Sequence, residues 1–198
     1  MTLPRFYPIF DSAAWVARML PLGVRLVQLR VKDRSADETR LEIREALDLC
    51  RAHDAILVVN DHWQLAIEEG CGWVHLGQED LDAADLVAIR RAGLRLGIST
   101  HDEEELARAL ALGPDYIALG PVWPTILKQM KWHQQGVEKL ADWKARIGDI
   151  PLVAIGGLTP ARATEAFAAG ADLVSVVTDI TLNPDPEAQV RHWLGVTG

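Results

Sequence analysis

Short apolar runs recur along the chain, and each stops at a polar or glycine-bearing cluster. They occupy residues 6–10, 24–29, 56–59, 73–76, 94–98, 116–119, 151–155 and 173–177. Runs this short and apolar on both faces read as strands buried on both sides. Between them lie segments with apolar residues at helical spacing. The clearest covers 36–53, where Leu41, Ile43, Ala46, Leu47 and Cys50 lie close to one stripe and Arg and Glu fill the other face. Further helices are expected over 13–22, capped by Asp11-Ser12 and closed by Gly23, over 62–69, stopped by Gly70, and over 83–91. The same signals place helices at 103–112, at 137–146, from Thr159-Pro160 to Gly170, and at 186–194.

Strict alternation of strand and helix predicts a parallel sheet, and eight such units predict closure into a single (β/α)₈ barrel spanning residues 1–198. An open doubly wound sheet would need fewer strands and a crevice where their order reverses. In a barrel the carboxyl ends of the strands share one face. That geometry gathers Gln28, Arg30, Lys32, Asn60, Asp61, Gln78, Asp80, Ser99, Thr100, Thr125, Lys128, Gly157 and Thr178. The stretch from Gly120 to Thr125 is too rich in Pro and Gly to continue its strand.

Composition narrows the partners. Charged residues are 24% and hydrophobic ones 49%, ordinary globular values, and the net charge of −8 argues against general nucleic-acid binding. No apolar run approaches the ~20 residues of a membrane span, and the first residues do not lead into a signal-peptide core. The expectation is a cytoplasmic protein that meets small molecules, without nucleic acid or membrane. An anionic ligand would then need a local basic pocket. Cys50 and Cys71 have no metal-type spacing and read as buried, reduced thiols.

Three chemical zones can be read at the strand ends. Asp61 and Asp80 follow adjacent strands, so they can share a divalent cation such as Mg²⁺, with amide oxygen from Asn60 or Gln78. Either carboxylate alone could equally be a helix cap. Arg30 and Lys32 stand two residues apart and suit a phosphate, Arg as a bidentate fork and Lys as a point charge. Gly156-Gly157 and the amides after Val177 could seat a second phosphate, while a Gly-Gly pair is also a common tight turn. His75 reads as a satisfied histidine of the barrel, His101 remains open, and Trp123 between two prolines could wall a planar ligand. No Gly-x-Ser-x-Gly elbow or Cys-His pattern points to nucleophilic catalysis.

Several motifs appear together and in order: Val27-Gln28-Leu29-Arg30-Val31-Lys32, Val59-Asn60-Asp61, Val74-His75-Leu76-Gly77-Gln78-Glu79-Asp80, Gly97-Ile98-Ser99-Thr100-His101, Gly120-Pro121-Val122-Trp123-Pro124-Thr125 and Ala154-Ile155-Gly156-Gly157. On these residues the chain resembles the thiamine-phosphate synthase family over nearly its whole length. The resemblance implies a transferase that joins hydroxymethylpyrimidine pyrophosphate to hydroxyethylthiazole phosphate, with Mg²⁺ as cofactor. It implies metal binding by Asp61 and Asp80, pyrophosphate binding by Arg30, Lys32, Asn60 and Lys128, and pyrimidine positioning by Gln28 and Ser99. Thr125, Gly157, Val177 and Thr178 would surround the thiazole phosphate. It also implies an ionising reaction, in which pyrophosphate leaves before the thiazole nitrogen attacks.

The chain departs from that pattern at His62, where the family usually has Arg, and at Leu127, where a Thr is usual. Residues 129–135 replace a small Pro-rich loop, and Thr178 stands where Ser is common. The related thiazole tautomerases carry a His where this chain has Pro121, and they have less need of paired carboxylates. A binding paralogue without turnover is the remaining alternative.

Overall fold

The computed structural model describes residues 2–125 and 134–198. Eight strands form a closed barrel in sequence order, every neighbouring pair parallel. They are β1 (Phe6–Phe10), β2 (Leu26–Leu29), β3 (Ile56–Asn60), β4 (Trp73–Leu76), β5 (Arg95–Thr100), β6 (Tyr116–Leu119), β7 (Leu152–Ile155) and β8 (Leu173–Val176). The expected helices appear as α1 (Ala13–Met19), α2 (Ala36–Ala52), α3 (Trp63–Glu68), α5 (Leu86–Arg91), α6 (Glu103–Leu112), α7 (Gly136–Ile147), α8 (Pro160–Ala168) and α10 (Pro186–Thr197). Two further short helices, α4 (Gln78–Ala83) and α9 (Thr178–Thr181), open directly off β4 and β8.

Most departures from the sequence reading have a local cause. The first helix ends at Met19 and continues as a 3₁₀ turn, Leu20–Leu22, because Pro21 brings no backbone N–H to the ladder. Ser12 makes no side-chain cap, and the Ala13 amide donates instead to Glu42 of α2 at 2.5 Å. The single helix expected over 83–91 is broken at Ala84, which is extended with ψ 135, and Asp85 caps the second piece through the Ala88 amide. β5 runs on to Thr100 because its hydroxyl is satisfied inside the wall, donating to the Ala118 carbonyl and accepting from Trp143 Nε1, both at 3.0 Å.

Two apolar clusters hold these layers together. The larger lies between strands and helices and includes Val27, Val59, Ile98, Trp143 and Trp193. The smaller fills the barrel itself with Tyr7, Leu26, Val58, Trp73, Tyr116, Val153 and Leu173. Cys50 and Cys71 are buried free thiols, and burial pushes them up to about 12 and about 11.

The strand register stacks the inward side chains in layers drawn from alternate strands. Stepping across Ile9↔Gln28, Asn60↔His75, Ser99↔Ala118 and Ile155↔Ser175 separates two of them. One holds Gln28, His75, Ala118 and Ser175. Above it, toward the carboxyl ends, lie Ile9, Asn60, Ser99 and Ile155. The large side chains of the smaller cluster therefore lie toward the amino-terminal half, and two layers that mix polar with apolar side chains form the floor of whatever binds above. Gly97 belongs to this design: a Cβ there would lie 2.0 Å from Cζ of Tyr116, so the missing side chain is the slot for that ring.

Candidate active site

Above the mixed layers the barrel opens into a cavity of about 710 Å³. Of the residues singled out from sequence, Gln28, Arg30, Lys32, Asn60, Asp61, Gln78, Asp80, Ser99, Thr125, Gly157, Val177 and Thr178 all line it. Lys128 lies outside the described residues. Trp123 is not among the lining residues; it is partly buried, with the Arg162 guanidinium 5.5 Å from its ring.

The carboxylate pair is brought together as expected. β3 ends in a tight turn in which Asp61 takes a left-handed φ of 63 and the His62 amide donates to the Asn60 carbonyl at 2.8 Å. Asp61 is not a cap, since its carboxylate is ion-paired with Lys32. Asp80 sits in the first turn of α4, where its Oδ2 accepts the Gly77 amide at 3.3 Å. It therefore does part of the capping job while also meeting Asp61. Burial, and then the neighbouring Asp61 carboxylate, hold Asp80 above the usual carboxylate range. Two carboxylates in mutual hydrogen-bond reach need a shared proton or a cation between them. Among the described residues no cluster of three or more His, Cys, Asp or Glu could hold a metal. This donor set suits Mg²⁺, which takes one or two carboxylates and completes its shell with water and ligand phosphate.

Arg30 follows β2 with its amide donating to Phe10 at 2.7 Å, and among the described residues no carboxylate pairs with its guanidinium. It is a cation open to the cavity beside the acidic pair. Gln78 does not serve the pair as a free amide. Its Nε2 donates to the Ser99 carbonyl at 2.7 Å and its Oε1 accepts from Arg108 at 3.4 Å, so it braces α4 against β5. His62, in the place of the usual Arg, is held by a ring nitrogen to the Val31 carbonyl at 3.3 Å.

Across the mouth, Gly156 and Gly157 have φ values of 97 and 64. A Cβ on Gly157 would meet the Pro124 carbonyl at 2.5 Å, and one on Gly156 would meet Pro121 at 2.7 Å. The glycine pair thus lets the backbone after β7 approach residues 121–124 closely, rather than a ligand alone. Val177 precedes α9, whose first residues, Thr178 and Asp179, line the same end of the cavity. His101, whose Nδ1 is 2.7 Å from Glu105, lines the wall between the two ends.

Beneath all of this runs a buried polar chain that sequence reasoning missed. Gln28 Nε2 donates to the Tyr7 hydroxyl at 2.8 Å, which bonds the Tyr116 hydroxyl at 2.8 Å. That hydroxyl bonds His75 Nδ1, and His75 Nε2 bonds the Ser99 hydroxyl, each at 2.8 Å. Burial pushes both phenols up and His75 down to about 4, the latter against a smaller upward pull from Asp61. His75 is thus a satisfied, neutral histidine, as its place in an apolar strand suggested. Nothing in the sequence marks Tyr7 or Tyr116 as its partners.

The sequence model of thiamine monophosphate synthase matches residues 6–180. The chain belongs to the thiamine monophosphate synthase family. It is 64% identical to the thiamine-phosphate synthase of Rhizobium etli over 100% of this chain and 97% of that protein. It is 48% identical to the thiamine-phosphate synthase of an Escherichia coli strain, over 97% of this chain and 91% of its relative. Among solved structures it superposes on the thiamine phosphate pyrophosphorylase of Pyrococcus furiosus with a TM-score of 0.87 at 27% identity, covering 98% of this chain and 95% of the other. Of the departures from the family pattern, Thr178 lines the cavity and His62 does not. The one at Leu127 lies outside the described residues.

Proposed function

We propose that this chain is a thiamine-phosphate synthase, joining hydroxymethylpyrimidine pyrophosphate to hydroxyethylthiazole phosphate and releasing pyrophosphate. The observation that carries this reading is the joint presence, in one cavity, of a carboxylate pair with two adjacent cations at one end and the Gly157–Thr178 backbone at the other. Two phosphorylated substrates that react with each other need such a two-ended site. The identity to named synthases over the full chain supports the same conclusion.

In this reading the C–O bond between the pyrimidine methylene and the pyrophosphate breaks, and a C–N bond forms from the thiazole ring nitrogen to that methylene carbon. Arg30 and Lys32 bind the departing pyrophosphate, with Asn60 beside them; an oxygen leaving with negative charge is stabilised by fixed cations that need no reorganisation. Asp61 and Asp80 would hold a Mg²⁺ ion, which when bound neutralises charge on the leaving group. Gln28 and Ser99 orient the pyrimidine ring above the floor. Thr125, Gly157, Val177 and Thr178 hold the thiazole phosphate near α9, the region after strands seven and eight where barrels often seat phosphate. Alignment of two bound substrates replaces acid–base chemistry as the main source of rate. That agrees with a buried His75 kept neutral.

Both substrates carry phosphates, which supports a cytoplasmic site of action, and no helix among the described residues is long and apolar enough to cross a membrane. Purified protein incubated with both substrates and Mg²⁺ should yield thiamine phosphate and pyrophosphate, and chelation should stop the reaction. Tautomerisation of a thiazole carboxylate phosphate without coupling, or tight thiazole-phosphate binding without turnover, would overturn the proposal.

A further inference from the structure

The buried chain on the cavity floor has a direction. Gln28 Nε2 donates to the Tyr7 oxygen at 2.8 Å, so the Tyr7 proton must find an acceptor elsewhere. The hydroxyl paired with Tyr7 in the strand register, Ser175 Oγ, has no hydrogen-bond partner, which leaves the Tyr116 oxygen at 2.8 Å. Tyr116 then gives its own proton to His75 Nδ1, and His75 carries its hydrogen on Nε2, donating to Ser99 Oγ. Each hydroxyl and ring N–H is used once until Ser99, whose own proton has no acceptor among the described residues. At the other end, Gln28 Oε1 makes no hydrogen bond within the described chain. Both Gln28 and Ser99 line the cavity.

We propose that Tyr7, Tyr116 and His75 are positioning residues: their one-way chain holds His75 as the Nε2–H tautomer and so presents the ligand with one donor, Ser99 O–H, and one acceptor, Gln28 Oε1. That pattern recognises an aromatic ring carrying both an amine and a ring nitrogen, the amine donating to Gln28 and the nitrogen accepting from Ser99. The identity of the ring as the pyrimidine substrate rests on the proposed function; the order of the chain stands on the geometry alone, and its direction on the orientation of the Gln28 amide. The ring is buried and each of its nitrogens meets a hydroxyl rather than a carboxylate, the setting of the neutral imidazole that a tautomeric relay requires. Turning the Gln28 amide by half a rotation would reverse every bond, so the His75 tautomer reports the direction.

The test is nitrogen-15 NMR of His75 in the full-length protein and in Tyr116→Phe, with steady-state kinetics on both. The wild-type protein should show a protonated Nε2 and an unprotonated Nδ1. Tyr116→Phe keeps the ring in the slot beside Gly97 but removes the donor to Nδ1, so the two tautomers should mix. The KM for hydroxymethylpyrimidine pyrophosphate should then rise about fivefold, the loss of one ordinary hydrogen bond, with the KM for thiazole phosphate unchanged. A wild-type His75 protonated on Nδ1 would overturn the direction, whether or not the variant folds. An unchanged tautomer, or an unchanged KM despite a shifted tautomer, would overturn the positioning role. Tyr7→Phe, one link further away, should give a weaker effect of the same kind. If the wild-type protein makes no thiamine phosphate, the ring assignment falls with the proposed function, and the tautomer still decides the direction.

Discussion

Lowering the pH should destabilise this protein through His75 by an amount that the structure sets. The imidazole is buried, and burial brings it from the ordinary 6.5 down to about 4. Below pH 6.5 the unfolded chain takes up a proton that the native ring refuses, so the unfolded state binds more protons and unfolding free energy falls with pH. The effect is absent above 6.5, grows as pH falls, and levels off below about 4. A difference of about 2.5 pH units at 1.36 kcal/mol per unit gives about 3 kcal/mol, a large share of the ~5–15 kcal/mol that stabilises a typical domain. Urea unfolding followed by tryptophan fluorescence at steps from pH 7 to pH 4 measures it, with His75→Gln as the reference that cannot titrate. The variant should start less stable at pH 7, because Tyr116 and Ser99 lose their shared partner. The gap between the two proteins should then close by about 3 kcal/mol toward pH 4. Parallel curves would show that His75 does not resist protonation and would refute the reasoning.

Asp80→Asn should abolish Mg²⁺-dependent coupling while raising the melting temperature of the metal-free protein, since it removes one of two facing carboxylates. Asp80 is held above the usual carboxylate range, so in metal-free protein its contribution is present at low pH and is lost as pH rises through that raised value. Calorimetric melts across pH, with and without Mg²⁺, should show the loss in wild type, its reversal by Mg²⁺, and neither in the variant. Gly97→Ala should cost about 3 kcal/mol or more, because the added methyl would stand 2.0 Å from the Tyr116 ring and 2.4 Å from its hydroxyl. Denaturation midpoints would measure that cost; a change below 1 kcal/mol would mean that the ring has room to move.

Much of the candidate site was legible because barrel geometry turns position in sequence into position in space. A residue that follows an apolar run reaches the carboxyl-end face, and that rule alone placed Arg30, Asp61 and Thr178 around one cavity. It was weaker where a side chain had to be assigned a task. Gln78 stands in the expected place, yet its amide is occupied by Ser99 and Arg108. The glycine pair after β7 is there, yet its closest neighbour is the 121–124 segment. Both outcomes depend on neighbours from other strands, which a one-dimensional pattern does not name.

Alternation of apolar runs with amphipathic segments was sufficient for the parallel barrel, because strands buried on both faces have few other ways to hide their sides and right-handed crossovers leave little choice of order. The sequence likewise determined that cations and carboxylates would crowd one rim. Only the tertiary structure decided which inward side chains meet. The hydroxyls of Tyr7 and Tyr116 are 109 residues apart in sequence and 2.8 Å apart in space. Their meeting depends on barrel register and on the space left by Gly97, since a strand's period says which face a residue takes and never who stands opposite.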